Sequence, residues 1–217
     1  MDVHFCPQCS QILTIGRHGD YFAFLGVPRR LNLDLSDLDE RFRALSRQFH
    51  PDYFYNATPA ERRASLERSS YLNDAYRTLK NPVARVEYLL GLEGFSPRGP
   101  GDSANNADSA EDAAKVPAKL LEEVFALNEE LDEVRDLRTS GAAAGVWREK
   151  LERARAPIET KQAAHEAELT ELSAQWDALG ADRGREREAI LSALRDCVLE
   201  RNYINNLLDG IERELTQ

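Results

Sequence analysis

Between residues 117 and 217 the apolar positions recur at spacings of three and four. Leu120, Val124, Leu127, Leu131 and Val134 make a first stripe. Leu151, Ile158, His165, Leu169, Leu172, Trp176 and Leu179 make a second, and Ile190, Leu194, Cys197, Ile204, Leu208, Ile211 and Leu215 a third. Such spacing keeps side chains on one helical face, and three such faces bury one another in a three-helix bundle. TSGAAAG near 139–145 and GADRG near 180–184 separate the helices, and Pro157 predicts a kink in the second. His165 and Cys197 lie on the stripes and are expected as a packed imidazole and a core thiol. In the first helix Leu121 and Phe125 form a second apolar ridge, followed on that side by Glu129 and Glu133. A helix packed on one side has no need of this ridge. Either a neighbouring element covers it, or it is a partner surface with an acidic rim.

Residues 20–95 have a different texture. A short apolar turn, Tyr21 to Leu25, ends at Gly26 and Pro28. A helix is predicted from Ser36, read as its N-cap, with Asp37, Asp39 and Glu40 where the helix dipole favours anions. Its apolar stripe is Leu38, Phe42, Leu45 and Phe49. Arg43 and Arg47 stand one turn apart on another face, with Arg41 nearby. The helix is expected to end at His50, because Pro51 disfavours helical geometry in the residue before it. Thr58-Pro59-Ala60-Glu61 then supplies an N-cap, a proline at the first position and a capping-box glutamate. That helix runs through Leu66, Leu72, Asn73, Tyr76 and Leu79 to Asn81-Pro82, and a short one follows from Val83 to Leu90. Residues 96–116, rich in Gly, Pro, Ser, Asn and Asp, bury too little to offset their ordering entropy and read as a flexible linker. The expected fold is all-α, a helical hairpin domain at 20–95 and a bundle at 117–217, preceded by a short Cys-containing segment at 1–19.

Composition narrows the function classes. No apolar run approaches the roughly 18–20 residues that span a bilayer, so no membrane partner is expected. The start MDVHFCPQC lacks the basic and apolar regions of a secretory signal. Three cysteines without framework spacing do not describe an extracellular disulfide scaffold, and a cytoplasmic location is expected. The net charge of −10 is uneven: residues 20–93 balance eleven Lys/Arg against eleven Asp/Glu, whereas from Asp102 onward fifteen face twenty-six. An acidic half repels the phosphate backbone, so no nucleic-acid partner is expected.

His50-Pro51-Asp52 sits between a helix with basic residues in its last turns and a well-capped return helix. In that setting residues 20–95 resemble a J-domain, the module that stimulates ATP hydrolysis by DnaK-type chaperones. DYFAFLGVP before the hairpin, LNDAYRTLKNPVARVEYLLGLEG after it, LLEEVFALNEELDEV beyond the linker and YINNLLDGIEREL near the end look together like the HscB family, the J-domain co-chaperones of iron–sulfur cluster assembly. The long linker and the Ala/Gly-rich insert near 140–145 depart from the family pattern. The resemblance implies a non-enzymatic bridging role. His50, Pro51 and Asp52, with Arg41, Arg43 and Arg47, would contact an HscA- or DnaK-type chaperone, the basic face steering encounter with an acidic surface. The bundle, around Leu121, Phe125, Glu129 and Glu133, would bind the scaffold protein IscU. The chaperone's ATP-driven cycle then weakens the scaffold's hold on its cluster.

Cys6-Pro7-Gln8-Cys9 supplies half of a tetrahedral zinc site. Some HscB-family members carry an N-terminal module of two C-x-x-C pairs, and this pair stands where the second would be. Three completions are open: His4 and His18 within the chain, a second chain sharing the ion and making a zinc-linked dimer instead of a monomer, or an unmetallated remnant. No cofactor is required by the implied role. A thiol–disulfide oxidoreductase built on Cys6 and Cys9 is the enzyme alternative, but such motifs sit beside a βαβ pattern, and the sequence has none. A general J-protein acting with DnaK on other clients is the remaining alternative; it calls for a broad apolar or β-rich client surface, which an acidic helical bundle does not offer.

Overall fold

The computed structural model describes residues 4–6, 8, 12, 19–95, 118–179 and 184–216, with only the backbone at 118–121, 123 and 124. The chain divides into two compact units at Leu92/Glu93. Among the described residues there are seven α-helices, and the sole β-pairing is an antiparallel bridge between Phe5 and Ile12. None of these helices is long and apolar enough to cross a membrane. The predicted linker, 96–116, lies outside the described residues.

The first unit begins with α1 (Tyr21–Leu25), capped by the Asp20 carboxylate and closed by Gly26 at φ 67°. That left-handed geometry favours glycine, and a Cβ at Gly26 would also meet Arg41 Nη1 at 3.0 Å. Helix α2 spans Leu35–Phe49. Its N-cap is Asp34, two residues before the expected Ser36, because the Asp34 carboxylate accepts from the backbone N–H of Ser36 and of Asp37. Ser36 therefore sits inside the first turn. The 3-10 turn Pro51–Phe54 follows, then α3 (Pro59–Lys80), whose Thr58/Glu61 capping box forms as the sequence predicts. Asn81 ends α3 and caps α4 (Pro82–Leu92), its side-chain oxygen accepting from Val83 and Ala84 N–H.

Leu38, Phe49, Leu72, Ala75 and Leu79, all essentially inaccessible, pack with Phe22, Phe24 and Leu25 of α1 into one core. Phe5 and Ile12 join that core, so residues expected in a separate segment are part of this unit. Two buried arginines complete the unit. Arg85 donates to the carbonyls of Leu79 (2.6 Å), Lys80 (3.4 Å) and Leu31. Arg68 lies with its guanidinium carbon 5.6 Å from the Phe49 ring centroid and 6.0 Å from that of Phe24.

The second unit holds α5 (Ala118–Thr139), α6 (Ala144–Ala178) and α7 (Gly184–Thr216). Leu127, Leu131 and Val134 of α5 bury against Trp147 and Leu151 of α6 and Leu207 and Ile211 of α7. The turn between α5 and α6 closes on Gly141 at φ 79°, with Ala142 N–H donating to Leu137 C=O. Pro157 lies within α6, which continues on both sides of it. The buried Glu214 carboxylate accepts from Arg135 Nε (2.8 Å) and Arg138 Nη1 (3.0 Å), tying the end of α7 to α5.

Candidate functional site

The turn at His50 is shaped by its neighbours on both sides. His50, at φ −59° and ψ 126°, leaves helical geometry because Pro51 follows it. This strands the Phe49 carbonyl at the end of α2, where no further turn can supply an N–H. Ser65 and Ser69, one turn apart on α3, each donate a hydroxyl to it, at 2.7 and 2.9 Å. The start of the turn is thus fixed to the facing helix, while its side chains point outward. His50 Nδ1 accepts from Asp52 N–H at 3.3 Å and lies 3.4 Å from the Asp52 carboxylate. The side chains are 52% and 86% exposed. Side chains so open to solvent are available for contact with another surface.

The three arginines of α2 are not equivalent. Arg41 Nε donates to both carboxylate oxygens of Asp37 at 2.9 Å, and its Nη1 donates to Gly26 C=O at 2.8 Å, so it anchors α2 to the turn after α1. Arg43 stands 3.8 Å from Asp39 and is largely exposed. Arg47 is exposed, in the turn of α2 next to His50, and makes no ion pair among the described residues. The outward basic face is therefore Arg43 and Arg47. Below it, Tyr76 of α3 donates to Asp39 of α2 at 2.7 Å, Lys80 approaches both, and the Phe42 and Tyr76 rings stack at 4.0 Å. The Tyr76 hydroxyl, and then Lys80, hold the Asp39 carboxyl below its ordinary range.

In the bundle, Phe125 is 68% exposed, while Leu127 and Leu131 of the same helix are buried. Glu129 and Glu133 are exposed, and Glu133 pairs with Lys150 of α6. The Leu121 side chain, like Cys9 and His18, lies outside the described residues. Cys6 is half-buried. His4, one of its possible co-ligands, is packed in the core. Its ring meets Phe24 and Phe49 edge-on, and its Nδ1 lies 2.7 Å from Arg68 Nη1.

The family model for the DnaJ domain matches residues 20–88. The structure of the chaperone HscB from Vibrio cholerae is similar to this chain at 28% identity and a TM-score of 0.58, covering 90% of this chain and 96% of that one. The crystal structure of the human co-chaperone protein HscB shares its fold at a TM-score of 0.69 and 24% identity, covering 98% of this chain and 90% of that one. Residues 20–88 are a DnaJ domain, and the chain as a whole is similar to the HscB co-chaperones.

Two features of the turn are not marked in the sequence by any periodic pattern. Tyr53 and Tyr55 are 74% and 78% exposed beside His50 and Asp52, forming an aromatic flank to the turn. The run Tyr53-Phe54-Tyr55 was the available signal, since a short turn cannot bury three aromatic rings; only Phe54 packs on the core. The second feature is the pairing of Ser65 and Ser69 with Phe49. Nothing local marks it, because the partner carbonyl belongs to another helix.

Proposed function

We propose that this HscB-type chain stimulates ATP hydrolysis by an HscA/DnaK-type chaperone and brings it an IscU-type scaffold, promoting transfer of the scaffold's iron–sulfur cluster. The observation that carries the reading is the exposed His50-Pro51-Asp52 turn anchored from below, on a chain whose other unit displays an exposed Phe125 between acidic residues. His50, Pro51 and Asp52 contact the chaperone, with Arg43 and Arg47 steering encounter and Arg41 supporting the face from within. Leu121 and Phe125 anchor the scaffold, rimmed by Glu129 and Glu133. An exposed aromatic in a polar surround is a typical anchor of this kind. The chain acts as a cytoplasmic activator and adaptor, not as an enzyme; the hydrolytic site is the chaperone's.

The test is ATPase stimulation of the cognate chaperone, measured with and without scaffold. Stimulation is expected to rise further when scaffold is added and to vanish in His50→Gln, with the circular dichroism spectrum unchanged. Stimulation indifferent to scaffold would favour a general J-protein, and insulin reduction abolished by Cys6→Ser would favour the oxidoreductase. The bridging role itself needs no cofactor. Zinc at Cys6 and Cys9 is read by the metal lost from the chain on Cys6→Ser/Cys9→Ser: one per chain for an internal site, one-half for a shared one, none for a bare pair.

A further inference from the structure

Helices α6 and α7 each place two metal-ligating residues three positions apart at the same level of the bundle: His165 and Glu168 on one, Cys197 and Glu200 on the other. His165 Nδ1 is 3.8 Å from Cys197 Sγ and 3.9 Å from the Glu168 carboxylate. The ligand atoms of His165, Glu168 and Cys197 all lie within 4.8 Å of one another. On the other side of the ring, Nε2 is 2.8 Å from the Glu200 carboxylate. That contact sets the tautomer. A neutral imidazole carries one N–H, and an Nε2–H donating to Glu200 leaves a bare lone pair on Nδ1, aimed at the thiol and the second carboxylate.

Packing alone does not call for this arrangement. A core thiol and a core imidazole need no carboxylate each at the third position, and a histidine whose remote nitrogen donates to a carboxylate is the usual outer shell of a zinc ligand. A tetrahedral zinc ion with ligands at about 2.0–2.3 Å sets its donors roughly 3.5 Å apart, within a few tenths of an ångström of the two distances from His165 Nδ1. The exposed Glu168 carboxylate can close the remaining gap to Cys197 Sγ, which is no more than 4.8 Å. His165 and Cys197 are buried, while the Glu168 side chain is 57% exposed, so the site has a solvent-facing side through which an ion enters. Metal ligation requires the thiolate, so the ion displaces the Cys197 thiol proton to solvent as the sulfur–metal bond forms.

We propose that His165 Nδ1, Cys197 Sγ and the Glu168 carboxylate bind a zinc-class divalent ion between α6 and α7, with Glu200 orienting the imidazole and water in the fourth position. Mixed nitrogen, sulfur and oxygen donors suit zinc over magnesium or calcium, which take oxygen. The ion would clamp the two longest helices of the bundle. This site does not depend on the chaperone and scaffold reading.

Cobalt titration of the full-length Cys6→Ser/Cys9→Ser chain tests it, because Cys197 is then the sole thiol. A thiolate-to-cobalt charge-transfer band saturating at one ion per chain, and displaced by zinc, is expected. The band should disappear in the further variant Cys197→Ser. Glu168→Gln, at an exposed position, should weaken binding at least tenfold, and Glu200→Gln by roughly 10–100-fold. Absence of the band, or undiminished affinity in Glu168→Gln, overturns the proposal and leaves His165 and Cys197 as core packing. Should the serine variants not fold, the thermal shift of the otherwise unaltered chain with zinc serves instead. Its loss in Glu168→Gln supports the site; its retention there, or no shift at all, refutes it.

Discussion

The J-domain and the bundle present the side chains proposed for partner contact by opposite means. At His50 the exposed side chains stand on a backbone that is clamped from beneath, with Ser65 and Ser69 on the Phe49 carbonyl and the Phe49 ring sealed under Arg68 and His4. At Phe125 the exposed ring stands on an ordinary stretch of helix, and what matters is that the stripe at Leu127, Leu131 and Val134 fills the core and leaves Phe125 outside. A turn has no internal ladder to hold its shape, so its geometry is imported through long-range polar contacts. A helix brings its own geometry, and an outward ridge costs only the exposure of an apolar side chain. Substitutions beneath the J-domain turn should therefore alter function through shape. Substitutions on the ridge should alter binding alone.

The largest expected effect comes from the J-domain's imported contacts. Arg85→Leu removes the buried guanidinium that donates to the carbonyls of Leu31 and Leu79 and should destabilise that unit by about 3 kcal/mol. Urea unfolding should show an earlier transition for the J-domain and an unchanged one for the bundle. Leu121→Ala with Phe125→Ala should then weaken scaffold binding by about 2–3 kcal/mol in calorimetry while leaving unfolding midpoints in place. A stability loss of similar size would place these residues in the core and break the contrast. Ser65→Ala with Ser69→Ala strands the Phe49 carbonyl, costing roughly 1–2 kcal/mol. It should lower chaperone stimulation although neither residue reaches the surface of the turn, and unchanged stimulation would mean the turn keeps its shape unaided.

The smallest effect concerns pH. The folded Asp39 carboxyl titrates below its unfolded value, so its contribution is present at neutral pH and is lost as pH falls below the ordinary carboxylate range and through the lowered folded pKa. The stability difference between the chain and Asp39→Asn should shrink over that range. A difference independent of pH would remove the charge of Asp39 from the α2–α3 contact.

Much of this was legible along the chain because it depends on near neighbours. Thr58 and Glu61 are three residues apart and form their capping box whatever lies around them. Pro51 ends α2 by a local steric rule, and the spacing of Leu127, Leu131 and Val134 needs only the helical period. The N-cap of α2 was misplaced to Ser36 because Asp34 and Ser36 are both good caps, and the choice between them rests on which side chain turns back onto the first N–H groups. Arg41 looked the same in sequence as Arg43 and Arg47. Its role as an anchor follows from the carbonyl of Gly26, fifteen residues away, which no periodicity could assign.

What the sequence by itself determined is the set of helices after the short α1, which it offered only as a turn, their ends to within a residue or two, the all-α class and the His50-Pro51-Asp52 turn, since each follows from interactions within a few residues. The tertiary structure decided which polar groups meet across helices. It drew His4 into the J-domain core beside Arg68, set two serines under Phe49, and brought His165, Glu168 and Cys197 together between α6 and α7, with Glu200 on the far side of the imidazole. Those meetings join residues up to 64 positions apart. A helical period tells which face a side chain takes, but the partner it finds there is set by how whole helices pack.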